Sequence, residues 1–160
     1  MPITMSRVDE RLIHGQMALS WINAVSVDTV VVIDDASAHD EMATMLLEMA
    51  VSGRVECIVC DQQHAAEVIS QHMDQDLFLC AKDPAVYLKL LQQGIKLPEV
   101  NIGGIYNAPG RKQLYKTVFL DDKTRQVILD IAKFEGTKVE YRMVPQEMEQ
   151  DIVADIKAGK

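Results

Sequence analysis

Residues 29–33 read Thr29-Val30-Val31-Val32-Ile33, followed at once by Asp34-Asp35. An unbroken run of β-branched apolar residues leaves no polar face. It suits a strand buried on both sides, as in a parallel sheet covered by helices. Working outward, similar short runs fall at residues 3–8, 56–60, 77–80, 99–102, 117–120 and 138–144. Helical patterns lie between and after them, at residues 15–23, 39–52, 62–73, 83–92, 123–135 and 147–157. Asp83 before Pro84 is an N-cap before a first helical position, and Gly94 is a stop. Asp121 or Asp122 can cap the helix at 123–135, and Gly136 can end it. Met42, Met45, Leu46 and Met49 form one stripe at helical spacing, which reads as core filling.

The alternation predicts an α/β protein with a single domain over residues 1–160. Its sheet is doubly wound and mostly parallel, with about seven strands and helices on both faces. In such sheets ligands bind beyond the carboxyl ends of the strands. The loops to inspect therefore begin at Asp9, Asp34, Asp61, Ala81, Gly103 and Asp121. The longest irregular piece, residues 103–116, is expected to be a functional loop.

Bulk composition narrows the function classes. Of 160 residues, 48% are hydrophobic, enough for a full core without staples. A formal net charge of −8 disfavours nucleic acid, whose binding is driven by Lys and Arg neutralising phosphates. It leaves room for a small anion in a local basic pocket. No stretch approaches the roughly 20 apolar residues of a membrane span, and the N-terminal run is charged too early for a signal peptide. A cytoplasmic location is expected, and three cysteines fit a reducing compartment.

The first predicted strand runs into Arg7-Val8-Asp9-Glu10-Arg11-Leu12-Ile13-His14-Gly15-Gln16. Here a strand ends, a charged loop with two arginines follows, and a histidine stands before a glycine at a helix start. A neutral imidazole is a nucleophile competent for phosphoryl transfer. Gly15 lets the backbone approach an anion, and the amides of Gly15, Gln16 and Met17 would point at a phosphate. Arg7 and Arg11 are planar phosphate donors able to stabilise charge on the transferring oxygens. By residue type alone, the same run is also compatible with a solvated helical face of i,i+3 and i,i+4 pairs.

The segment, with Trp21 shortly after it, resembles the first loop of the B subunits (EIIB) of the mannose/fructose/sorbose family of phosphoenolpyruvate-dependent sugar phosphotransferase systems. Two further stretches resemble the same family: Val100-Asn101-Ile102-Gly103-Gly104 and Val139-Glu140-Tyr141-Arg142-Met143-Val144-Pro145. The resemblance implies a phosphocarrier with His14 as the phosphohistidine. The phosphoryl group would come from an EIIA subunit and pass to a sugar held by membrane EIIC and EIID subunits. The chain would then be peripheral to the inner face of the membrane through its partners. Arg7 and Arg11 would flank the phosphate, Asp9 would orient an arginine or the loop, and Gln16 would add an amide hydrogen bond. The scheme requires no metal and no other cofactor.

Other candidates read more plainly. Cys57 and Cys60 form a C-x-x-C, but within an apolar strand run whose positions three apart face opposite ways, so they are expected in the core along with Cys80. Asp34-Asp35 is expected to cap and turn rather than bind Mg²⁺. His39, His64 and His72 lack a common metal spacing. Gly103-Gly104 is either a turn near the phosphate or a plain turn. Arg111, Lys112 and Lys116 either dock an acidic partner or are solvated. Two rival functions remain. A phosphohistidine phosphatase or mutase would need an arginine where Ile13 stands. A receiver-like regulator would need a late lysine that the stretch at Asn101–Gly103 lacks.

Overall fold

The computed structural model describes residues 2–51, 53 and 55–160, with the Met17 side chain outside that description. In chain order the elements are β1 (Ile3–Asp9), α1 (Gly15–Val25), β2 (Thr29–Ile33), α2 (Asp35–Ala38), α3 (Glu41–Val51), β3 (Glu56–Cys60), α4 (Ala65–Gln71) and β4 (Leu77–Ala81). They continue with α5 (Pro84–Gln92), β5 (Glu99–Gly104), β6 (Lys112–Tyr115), β7 (Val118–Leu120), α6 (Asp122–Ala132), β8 (Lys138–Tyr141) and α7 (Ile152–Lys157). Six strands form one sheet in the order β3-β2-β4-β1-β5-β8, and every pairing in it is parallel. The apolar strand β2 is buried along its whole length.

Helices cover both faces. On one, Ala65, Ile69, Tyr87, Leu90, Ile128, Ile131, Ile152 and Ile156 from α4 to α7 pack on Val8, Val31, Leu79, Val100 and Ile102. On the other, Trp21 and Ile22 of α1 and Leu47 and Val51 of α3 pack on Met5, Val30, Val32, Phe78 and Cys80. Cys57 belongs to the second face and Cys60 to the first, as the alternation of a strand demands. Asp83 caps α5 by accepting from the Ala85 amide, with Pro84 in the first turn. Asp121 caps α6 in the same way, through the Thr124 amide.

Several expected boundaries shift. The strand at 117–120 stays out of the main sheet. Its core, β7, pairs antiparallel with β6 as a hairpin, and Val118 bridges to Ile105, the residue that follows β5. The irregular stretch at 103–116 therefore shrinks to the loop between Gly104 and Lys112. Residues 142–144 leave the last strand ahead of Pro145 and turn across the sheet. The helix expected from Glu147 begins only at Ile152, because Gln150 bridges back to Tyr141 and Asp151 takes the cap. The helix expected from His39 starts at Glu41 as α3, and a separate short helix precedes it: α2, which Asp34 caps by accepting from Ser37. The expected helix end at Ser52 lies outside the described residues.

The methionine stripe is not core. Met42, Met45, Leu46 and Met49 are 65%, 54%, 59% and 64% exposed. The helix seats Leu47 and Val51 on the sheet instead. That pair lies on the opposite face of the helix, about 170° around from the methionine stripe. Among the described residues, no helix is long and apolar enough to cross a membrane.

Candidate active site

Chain direction brings the site to the carboxyl end of β1, one of the two central strands. There Asp9 folds the loop. Its carboxylate accepts from the Arg11 amide at 2.9 Å, and its carbonyl accepts from the Leu12 amide at 2.9 Å. The turn drives Leu12 to φ +56°, a left-handed conformation that costs roughly 1–2 kcal/mol for a non-glycine residue. Burial of Leu12 and Ile13 on the α1 face holds it there. His14 follows in extended conformation and then Gly15 at φ +52°, where a glycine carries no such cost.

The site's polar frame is a row across three adjacent strands. Arg7 of β1 is in register with Asn101 of β5, which is in register with Glu140 of β8. On the other side of Arg7 the same row is apolar, with Cys80, Val32 and Val59. Helices α1 and α3 cover that apolar half; Trp21 and the 142–145 turn cover the polar half. Arg7 is 4% exposed. It donates to the Asp9 carboxylate at 3.2 Å, to the Asn101 side-chain oxygen, and to the carbonyls of Arg142 (3.3 Å) and Met143 (3.1 Å). Asn101 donates onward to Glu140 at 2.9 Å, which accepts from Arg142 at 3.1 Å. The guanidiniums of Arg7 and Arg142 sit 5.2 and 5.0 Å from the Trp21 ring centre, and the indole N–H donates to Met143 at 3.0 Å.

Gly103 and Gly104 are not a phosphate turn. They lie in β5, and side chains cross above them. A Cβ on Gly103 would meet the Arg7 guanidinium at 2.2 Å, and one on Gly104 would meet the Tyr106 hydroxyl at 2.4 Å. The two supporting stretches of sequence thus converge on one arginine.

Burial pushes the Glu140 carboxyl up to about 7, against the donors Arg142 and Asn101 and with Glu99 beside it. The folded chain therefore holds this proton more tightly than the unfolded one. The stabilisation is complete below the ordinary value of 4.5 and is lost as pH rises through about 7. Unfolding in urea at pH 5 and pH 8 should show a loss on the order of 2 kcal/mol at the higher pH. Glu140→Gln should flatten that difference. Parallel pH profiles for the two proteins would contradict the assignment.

A second clamp holds the loop from outside. Glu10 accepts both terminal nitrogens of Arg111 at 2.9 Å and the Tyr106 amide at 2.6 Å. Arg111 is thus committed to the loop and does not join Lys112 and Lys116 as a docking cluster. Arg11 is exposed and lies over the Tyr106 ring, 4.7 Å from its centre.

Arg7, Asp9 and His14 line one small cavity, closed by Leu12, Ile13, Ala18, Trp21, Ile22, Val30, Phe78 and Cys80. At about 10 Å³ it is far too small for a sugar. Both His14 ring nitrogens are hidden from solvent and have no hydrogen-bond partner among the described residues. The imidazole caps no α1 amide, and the first α1 bond runs from the Ala18 amide to the His14 carbonyl. Gly15 and Gln16 are exposed at the start of that helix. Arg11 is not part of the cavity wall. The thiols are poor rivals as nucleophiles. Burial raises Cys57 and Cys80 to about 12 and Cys60 to about 11, so all three stay protonated near neutrality.

The family model described as "PTS system sorbose subfamily IIB component" matches residues 3–160. The chain belongs to that family. It is a IIB component of the mannose/fructose/sorbose class of sugar phosphotransferase systems, and so a phosphotransferase component of sugar transport. The sorbose-specific EIIB component of Klebsiella pneumoniae is 31% identical over 158 residues, covering 98% of this chain and 96% of that protein. The N-acetylgalactosamine-specific enzyme IIB component 2 of Escherichia coli K12 is also 31% identical, over 151 residues, covering 94% and 96%. The crystal structure of the IIBSor domain of the K. pneumoniae sorbose permease superposes with a TM-score of 0.93 at 30% identity, covering 100% of this chain and 99% of that one. The IIB fold is thus the fold derived above, with its six parallel strands and helices on both faces.

Asn101, Glu140 and Arg142 had only motif membership in the sequence to mark them, and Gly103 a turn reading that the structure does not bear out. A sharper signal was present: one Asn and one Glu, each inside an apolar strand, at positions that a parallel register sets beside Arg7. Tyr106 and the Glu10–Arg111 pair gave no signal, because nothing local ties residues about a hundred positions apart.

Proposed function

We propose that this IIB component carries the phosphoryl group on His14. It receives the group from a phosphohistidine on an EIIA subunit and delivers it to a sugar held by membrane EIIC and EIID subunits. The observation that carries the reading is the His14 side chain itself: a half-buried imidazole whose two nitrogens have no partner among the described residues, at the start of α1 beside the Arg7–Asp9 pair. A structural histidine would have its nitrogens bonded.

Each transfer is an in-line displacement at phosphorus. A neutral ring nitrogen of His14 attacks, the donor's N–P bond breaks, and the pair of electrons leaves with the donor imidazole. In the second step a sugar hydroxyl oxygen attacks, the His14 N–P bond breaks, and the hydroxyl proton is released. The ring must first turn out of its pocket, a rotation at a residue whose backbone is already extended. Turned out, it places the phosphoryl group by the free amides of the first turn of α1, with Gln16 at hand. Arg11 is the mobile cation that can leave Tyr106 for the phosphate. Arg7, pinned by Asp9, Asn101 and two carbonyls, supplies a fixed positive charge behind the site rather than a direct ligand. Asp9 positions the loop. The sugar binds elsewhere, in keeping with a cavity that cannot admit it.

The test is incubation with phosphoenolpyruvate, the general phosphotransfer proteins and a family EIIA subunit, read by intact mass. One acid-labile, alkali-stable phosphoryl group is expected, and it should discharge to sugar only with membranes holding EIIC and EIID. A folded sample that takes no phosphate from any cognate donor would overturn the proposal.

A further inference from the structure

We infer that the exposed face of α3 is the docking surface for the basic cytoplasmic face of the membrane subunits, an inference that rests on the phosphocarrier reading and adds a site to it. Six large hydrophobic side chains stand exposed among the described residues, and four of them, Met42, Met45, Leu46 and Met49, lie on this one helix. Their spacing of i, i+3, i+4 and i+7 makes them a single ridge. A contiguous apolar ridge on a protein surface marks an interaction site, and flexible methionines suit a surface that must engage and release.

Charge selects the occupant. Asp40, Glu41 and Glu48 border the ridge and are exposed, and residues 35–51 contain no Lys or Arg. An open hollow beside the ridge is lined by Ala38, His39, Glu41, Thr44, Met45 and Glu48. It offers an apolar wall to the stem of a long basic side chain and two carboxylates to its head. A second copy of the chain would set these acids against themselves. A bare lipid surface, anionic on the cytoplasmic side, would repel them. Cytoplasmic segments of membrane proteins carry an excess of Lys and Arg, which is the complementary pattern. The position fits as well. Helices α1 and α3 pack side by side on one face, and both begin at the carboxyl edge of the sheet where His14 lies. A membrane subunit gripping α3 by its ridge would meet the same edge that presents His14.

The test uses the triple variant Met42→Ser/Met45→Ser/Met49→Ser, whose changed side chains are all exposed, and a charge variant, Glu41→Lys/Glu48→Lys. Inverted vesicles holding the cognate EIIC and EIID are compared with vesicles of the same lipids without them. Wild type should co-sediment with the former only. Both variants should bind them at least tenfold more weakly, while still taking phosphate from EIIA at the wild-type rate. Sugar phosphorylation by the vesicles should then fall at least tenfold at low carrier concentration. Unchanged vesicle binding in the triple variant overturns the inference. So does loss of phosphorylation by EIIA with vesicle binding intact, which would assign the ridge to the donor, or dissociation of a wild-type dimer with binding intact, which would assign it to a second copy. The binding comparison is made on unphosphorylated protein. It therefore decides the docking surface even if wild type accepts no phosphate, a result that would count against the phosphocarrier reading alone.

Discussion

His14→Leu is expected to yield a protein that takes no phosphoryl group and yet is more stable than wild type by about 1–2 kcal/mol. The stability gain comes from the ring nitrogens. A neutral imidazole brings one donor and one acceptor, and both are shut off from water here with no partner among the described residues. Each such atom forfeits the hydrogen bonds it had with water in the unfolded chain. The walls around the ring are largely leucine, isoleucine, alanine, valine, tryptophan and phenylalanine. Leucine has nearly the volume of histidine, so the exchange removes two unsatisfied polar atoms without opening a cavity. Nothing is lost at the helix start, because the imidazole caps no amide.

The two readouts separate cleanly. Urea unfolding reports the stability and intact mass reports the phosphate. Phosphorylation that survived in His14→Leu would move the site to another side chain. A variant less stable than wild type by 1 kcal/mol or more would mean that the ring has partners in solution. A residue kept at a cost to the fold is explained by what it does outside its pocket, which is why the stability gain belongs to the functional argument.

What the sequence made legible is what local patterns encode. Val30 to Ile33 announces a buried strand because it has no polar face. Asp83-Pro84 and Asp121 announce helix starts because capping is settled within three residues. The run from Arg7 to Gln16 holds its own turn residue, its glycine and its nucleophile, so the candidate site could be found without tertiary contacts. The rest depends on register or on the choice of face. The 39–52 segment carries two apolar stripes, one through Met42 and Met49 and one through Leu47 and Val51. Periodicity cannot tell which one the sheet will take. The polar row of Arg7, Asn101 and Glu140 exists only once three strands that are distant in sequence are aligned. The role given to Arg7 changed for the same reason. An arginine near the end of a strand reads as a free phosphate donor until the Asp9, Asn101 and carbonyl partners that hold it are in view.

Gly103→Ala carries the second large effect: a loss of about 3 kcal/mol, from one methyl group. Its Cβ would sit 2.2 Å from the Arg7 guanidinium, inside any real contact distance. On an exposed side chain such an overlap is relieved by a swing of the arginine. Here Arg7 is fixed by a buried carboxylate, a side-chain amide and two carbonyls, so moving it breaks those bonds together. Asp9, which is fully buried, would lose its counter-charge, and removing one partner of a buried ion pair costs about 3–5 kcal/mol. Partial relaxation of the 142–145 turn offsets some of this. The chain's single tryptophan gives a local reporter, because Arg7 lies 5.2 Å from the Trp21 ring. A lower urea midpoint with shifted Trp21 emission is the expected result. The rate of phosphorylation should fall too, because Asp9 both holds Arg7 and turns the loop that carries His14. Unchanged stability together with unchanged emission would mean that the guanidinium does not lie over Gly103, and the fixed charge behind His14 would then have to come from elsewhere.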